Sequence, residues 1–171
     1  MNISFYIVDV FAEKKYAGNQ LAVFLEADAL SAEEMQKIAR EINFAESTFI
    51  TKLEPENNAA EIRIFTPEYE MKFAGHPIIG TSWVLMNKIF ENQPEKITLS
   101  VPIGEIPIHQ ADDLVWLQAA QPQFFDIFSA EGILSFSNLS SVDFDAEYPV
   151  QEVSTGSAFV IVPLQNKKAL E

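Results

Sequence analysis

The chain has 171 residues, 48% of them apolar, and a formal charge of −14. That acidity argues against nucleic acid and against an anionic membrane surface, both of which recruit cationic proteins, and the absence of cysteine excludes disulfides, thiolate nucleophiles and thiolate metal sites. The amino terminus, MNISFYIVDVFAEKK, lacks the pattern of a signal peptide and no apolar run is long enough to span a bilayer, so the default location is the cytoplasm.

Ile3 to Phe11 is β-branched and aromatic and predicts a strand. Tyr16-Ala17-Gly18-Asn19 predicts a turn, in which the Asn19 amide either holds the turn or meets a ligand, and Leu21 to Leu25 predicts a second strand. Leu30-Ser31-Ala32-Glu33-Glu34-Met35 starts a helix. Ser31 can cap it, Glu34 stands three residues on to complete a capping box, and Leu30 can pack on Met35. The helix is amphipathic through Met35, Ile38, Ala39 and Ile42 and belongs on the outside of a sheet. Glu46 follows the helix end and precedes a strand from Ser47 to Leu53. A loop over 54–58 leads to another strand, Ala60 to Thr66, in which Ile62 and Ile64 face opposite to Arg63 and Phe65.

Phe73-Ala74-Gly75-His76-Pro77 opens a second helix that runs to about Lys88. It carries Ile78, Ile79, Trp83, Val84, Leu85 and Met86 with no charge before Lys88, so it is too apolar for a surface, and the surrounding strands are the material to enclose it. Pro77 is tolerated in a first turn and Gly75 permits close backbone approach. The free amides of that turn suit a carboxylate, although the same residues also serve as plain punctuation. Strands follow at Ile97 to Val101, Glu105 to Gln110 and Leu114 to Ala119. After Gln121-Pro122-Gln123 the chain becomes rich in Phe and Ser, with a short helix around Ala130 to Leu134 and a last strand at Phe159 to Leu164. A boundary near Asp112 divides the chain into 1–112 and 113–171.

Few residues here can carry chemistry. His76 and His109 are the only histidines and form no metal-ligand spacing, so no metal is expected. The glycines do not make a phosphate loop, so no nucleotide is expected either. Glu46 lies in the apolar run Asn43 to Ile50, where burial would raise its pKa toward that of a useful acid or base; the alternative is a junction residue facing water. His76, at the mouth of the core, is a proton donor, a partner for a substrate carboxylate or a capping side chain. His109 reads as a surface residue. Arg63 can pair with a carboxylate across the sheet, Glu70 can stand near His76, and Ser154-Thr155-Gly156-Ser157 reads as a loop.

Together these pieces resemble the phenazine-biosynthesis-like (PhzF-like) isomerase family, which has the diaminopimelate-epimerase fold. The matching segments are Asp9-Val10-Phe11, Gly18 to Val23, Ala45-Glu46-Ser47-Thr48-Phe49, Ile62 to Pro67 leading to Glu70, Phe73-Ala74-Gly75-His76-Pro77, Gly80-Thr81, Val153 to Gly156 and Ile161 to Leu164. The resemblance implies an α+β fold in which a barrel-like sheet wraps around a central buried helix. It also implies a cofactor-independent proton shift on a small carboxylated substrate, with Glu46 as acid/base, His76 and Gly75 beside the substrate, and Asn19 lining the cleft. Gln20 stands where the family usually has proline.

Related epimerases use two cysteines, a route closed to this chain. Family members are longer, and by resemblance the chain is a first domain plus the start of a second that lacks the opposite cleft wall. Three expectations follow: half of an isomerase completed by a second polypeptide or inactive alone, a homodimer with a symmetric cleft, or a non-catalytic binding protein. An unfinished sheet offers unpaired backbone groups to a partner.

Overall fold

The structure is a computed structural model that describes residues 2–170. It divides into two compact units, Met1–Ala119 and Ala120–Glu171. The first unit contains β1 (Phe5–Val10), β2 (Asn19–Phe24), α1 (Ala32–Ile42), β3 (Glu46–Glu54), β4 (Ala59–Phe65), β5 (Glu70–Met71), α2 (Gly75–Val84), β6 (Lys96–Val101), β7 (Gly104–Ala111) and β8 (Leu114–Leu117). One sheet runs β1-β2-β3-β4-β6-β7-β8, with β5 paired to β4. The sequence boundary near Asp112 falls in the β7–β8 turn, and the strand after it pairs back onto β7, with Ile108 opposite Leu117.

Strand direction decides which face each helix covers. β2 and β3 are parallel, as are β4 and β6, while β3 and β4 are antiparallel. The two parallel crossovers therefore step the same way along the sheet on strands running in opposite directions. Connections of one hand then place their helices on opposite faces. The packing agrees. On one face α1 buries Met35 and Ala39 against Ala22, Phe24, Phe49 and Phe65, with Phe24 stacked on Phe49 and Phe49 edge-on to Phe65. On the other, curled face, Ile78, Val84, Leu85 and Met86 pack among Leu21, Val23, Ile62, Ile64, Ile97, Leu99 and Ile108.

Both helices begin as their sequences dictate. The α1 box is complete, with Glu34 N–H on the Ser31 hydroxyl and Ser31 N–H on the Glu34 carboxylate, and Asn43 ends the helix in the left-handed region. α2 has no capping side chain. In its interior Ser82 Oγ donates to the Ile78 carbonyl at 2.7 Å, and the helix passes at Leu85–Ile89 into a π-helical turn closed by Phe90 N–H on the Leu85 carbonyl. The expected α+β fold, a curled sheet around a central helix, is present, with one detail of the enclosure different. Trp83 is 39% exposed and carries Lys88 over its ring, so the sheet is a half-barrel that leaves one side of α2 open.

The second unit holds β9 (Gln123–Phe128), α3 (Ala130–Leu134), β10 (Val150–Ser154) and β11 (Ala158–Ile161), with the strands ordered β11-β10-β9 and antiparallel. β9 was not expected from the sequence. Its run QFFDIF does not alternate, and Phe124, Phe125, Ile127 and Phe128 are all exposed.

Gly80 sets how closely α2 approaches the sheet. A Cβ there would lie 2.7 Å from both Leu21 Cδ2 and Val10 Cγ2. Gly80→Ala is expected to lower stability by about 1–3 kcal/mol through overpacking, against the usual gain of replacing glycine inside a helix. Urea unfolding of the two proteins checks this, and a raised midpoint in the variant would contradict it.

Candidate active site

Asn19 opens β2, Glu46 opens β3, and His76 is the second residue of α2. β2 and β3 run parallel with Leu21 beside Glu46, so both strands begin at the same end of the sheet. Alternation along each strand then puts Asn19 on the same face as the core residue Leu21, and Glu46 on the same face as Thr48. Thr48 meets α2 directly: its hydroxyl lies 2.8 Å from that of Thr81, and both side chains are fully buried. This bond ties β3 to α2, two residues from Glu46 and five from His76.

At the mouth of the helix, Glu46 Oε2 lies 3.2 Å from His76 Nε2, with the two side chains 16% and 10% exposed. The atoms are at hydrogen-bonding distance but out of hydrogen-bond alignment, and neither has another partner among the described residues. On the other side of the imidazole, Asn19 Nδ2 lies 3.3 Å from Nδ1. Burial pushes the Glu46 carboxyl above its ordinary range and the His76 imidazole below its own. A charged pair would move both groups the opposite way, so desolvation governs and favours the neutral forms.

The first turn of α2 adds donors. With no capping side chain and Pro77 lacking an N–H, the amides of Gly75 and His76 are the leading groups of a helix N-terminus, which suits an anion. A Cβ built on Gly75 would meet nothing within 4 Å, so this corner is open. Larger recesses lie elsewhere: one of about 390 Å³ lined by Leu25, Ile50, Lys52 and Ile89, and one of about 800 Å³ on the outer side of β6–β8. Neither is lined by Glu46 or His76.

The other residues singled out from the sequence lie apart from this pair or are already committed. Glu70 gives both carboxylate oxygens to Arg63, at 2.7 and 2.6 Å from Nε and Nη2. Arg63 is thus paired across β4 and β5. His109 is exposed on β7, stacked near Trp116 with ring centres 6.3 Å apart. Ser154 Oγ accepts from Gly156 N–H in the β10–β11 turn. Asp9 accepts from Tyr16 N–H at 3.0 Å. The Thr48–Thr81 bond was not foreseen, although both residues stood within the matched segments. Among the described residues no three of His, Asp and Glu gather as a metal ion would need.

Two outcomes are expected from this geometry. Thr81→Val leaves the Thr48 hydroxyl buried with only a 3.5 Å approach to the Ala22 carbonyl, and should cost about 1–3 kcal/mol, most of which the double variant Thr48→Val/Thr81→Val recovers. Urea unfolding of the four proteins tests it; additive losses would refute the coupling. The second concerns Glu46. Its native pKa is raised, so the native state holds the proton more tightly, and the associated stability is present below about pH 4.5 and lost as pH rises through the native value. Glu46→Gln should therefore be more stable than the parent by ~1 kcal/mol at pH 8 and no more stable at pH 4, as read by thermal melting at both pH values.

The family model described as phenazine biosynthesis-like protein matches residues 8–171. An uncharacterized isomerase of Pasteurella multocida is 31% identical over 98% of this chain and 57% of its own length. The trans-2,3-dihydro-3-hydroxyanthranilate isomerase of Pseudomonas aeruginosa is 34% identical over 97% of this chain and 59% of its own. Among solved structures, a Bacillus anthracis phenazine biosynthesis protein of the PhzF family superposes with a TM-score of 0.81 at 31% identity, covering 98% of this chain and 57% of that one. The chain thus spans just under three fifths of the length of these relatives, and it belongs to the phenazine biosynthesis-like (PhzF) family.

Proposed function

We propose that this chain carries the proton-transfer residues of a cofactor-independent isomerase acting on a small carboxylated substrate. The observation that supports it most is the facing of Glu46 Oε2 and His76 Nε2, 3.2 Å apart, both atoms buried and neither hydrogen-bonded elsewhere among the described residues, at the open N-terminus of α2. A buried acid and imidazole left unsatisfied cost stability, and sites of that kind are where proton chemistry is done.

In this reading the substrate carboxylate rests on the amides of Gly75 and His76, with Asn19 lining the same corner. The Glu46 carboxylate takes a proton from a substrate carbon, and the electron pair moves into the adjacent unsaturated system. The new Glu46 carboxyl then returns the proton to a different carbon. Only a proton and double bonds have moved, and no redox partner is needed. Burial makes Glu46 a stronger base than an exposed carboxylate, and neutral His76 can donate to charge that develops beside it. The substrate named for the P. aeruginosa relative is a carboxylated ring, the class we assign here. The chain spans about three fifths of the length of such relatives.

Proton exchange tests the reading without requiring full turnover. In D2O, the parent protein is expected to catalyse deuterium entry into dihydroanthranilate-type carboxylates, and Glu46→Gln to lose at least about 100-fold of that rate. Exchange needs the Glu46 carboxylate, so it should fall as pH drops through a midpoint above 4.5. Equal exchange by parent and variant would reject Glu46 as the acid/base.

A further inference from the structure

We propose that Asn19 is a positioning residue that holds His76 in the Nε2–H tautomer, so that the single proton of the neutral ring sits on the nitrogen beside the Glu46 carboxyl. The proposal rests on the reading of Glu46 and His76 as a proton-handling pair, but it makes a separate claim about one hydrogen.

The argument starts from what an amide nitrogen can do. Asn19 Nδ2 approaches His76 Nδ1 at 3.3 Å, and an amide NH2 donates and cannot accept. Nδ1 must then offer its lone pair, which leaves the proton of a neutral imidazole on Nε2, the atom 3.2 Å from Glu46 Oε2. Burial keeps the ring neutral by lowering its pKa, so the choice between tautomers is a real one. The opposite tautomer would leave a lone pair on Nε2, 3.2 Å from the carboxylate oxygen, and the two would repel unless Glu46 took up a proton. Asn19 therefore selects a state in which Glu46 is free to act as a base while His76 keeps a donor beside it. The neighbour on the other ring nitrogen commonly sets which nitrogen is protonated.

The fold makes Asn19 suited to this. It is the first residue of β2, paired with Val10 on β1, so its backbone is fixed. The side chain lies on the same strand face as Leu21, toward α2. Asn19 itself is exposed, so replacing it removes a hydrogen bond without opening the core.

The test is a direct reading of the ring nitrogens. With only two histidines in the chain, long-range proton–nitrogen NMR of the untagged, nitrogen-15-labelled protein at pH 8 gives two imidazole patterns, assigned by His109→Gln. The parent should show His76 with a protonated Nε2 and a bare Nδ1. Asn19→Ala should mix the two tautomers. Asn19→Asp, nearly the same shape but with only acceptor atoms, should invert the pattern to Nδ1–H or give the doubly protonated ring. His109 serves as the unchanged control, and the backbone amide spectrum reports that each variant is folded. A parent protein with Nδ1–H, or an Asn19→Asp variant with the parental pattern, overturns the proposal. Either result leaves the Glu46 exchange assay intact, and a failure of that assay leaves the tautomer assignment standing.

Discussion

Everything at the candidate site depends on keeping the facing atoms of a carboxyl and an imidazole, Glu46 Oε2 and His76 Nε2, out of water without a well-aligned hydrogen bond to either. Burial alone would expel such groups, because an unsatisfied polar atom in the interior is costly. They stay because the backbones that carry them are fixed by interactions elsewhere. The Thr48–Thr81 bond joins β3 to α2 inside the core, Gly80 lets the helix lie against β1 and β2, and the register of β2 on β3 brings Leu21 beside Glu46. The pair is thus held by strands and a helix rather than by itself, which is the usual condition for a strained polar arrangement to persist.

The two-faced sheet explains why the chain can support so apolar a helix. A single sheet with one wet face would leave α2 with nothing to surround it. Here the change of strand direction between β3 and β4 sends α1 and α2 to opposite faces, so the Phe24–Phe49–Phe65 stack is sealed by α1 while the curled face closes over Ile78, Leu85 and Met86. The closure is incomplete: exposed Trp83 marks a side of α2 that the half-barrel does not cover. At the other end of α2 the space beside Gly75 is open as well.

Much of the first unit was legible because its signals are local. The Ser31–Glu34 box, the period of α1 and the uninterrupted apolar run of α2 each follow from neighbouring residues. Alternation placed Ile62 and Ile64 on one face of β4. The proximity of Glu46 and His76 is different in kind. Thirty positions separate them, and no spacing rule joins a strand start to a helix start, so only the family resemblance suggested that they share a site. Arg63 was read as a cross-sheet partner, but that Glu70 is the carboxylate it meets was not legible, since β5 is two residues long and gives no pattern. β9 escaped notice for a related reason. Its phenylalanines do not alternate with polar residues, and without one dry face a strand loses its period-two signature.

The same desolvation that weakens the native state at neutral pH is what would make Glu46 useful. Taking the carboxylate out of water raises the free energy of its charged form, and that increment appears twice: as a loss of folding stability above the native pKa, and as a greater avidity for a proton on substrate carbon. Satisfying Glu46 with a strong donor would recover the first and forfeit the second. His76 resolves the conflict only in part, since it sits close enough to respond to charge and too poorly aligned to quench it. A well-formed ion pair exists in the same sheet, on its other face, in Arg63 and Glu70, where both carboxylate oxygens are bound and the acid is committed to structure. The contrast between the two glutamates, one fully partnered and one left wanting a proton, is the physical ground for assigning chemistry to Glu46 and architecture to Glu70.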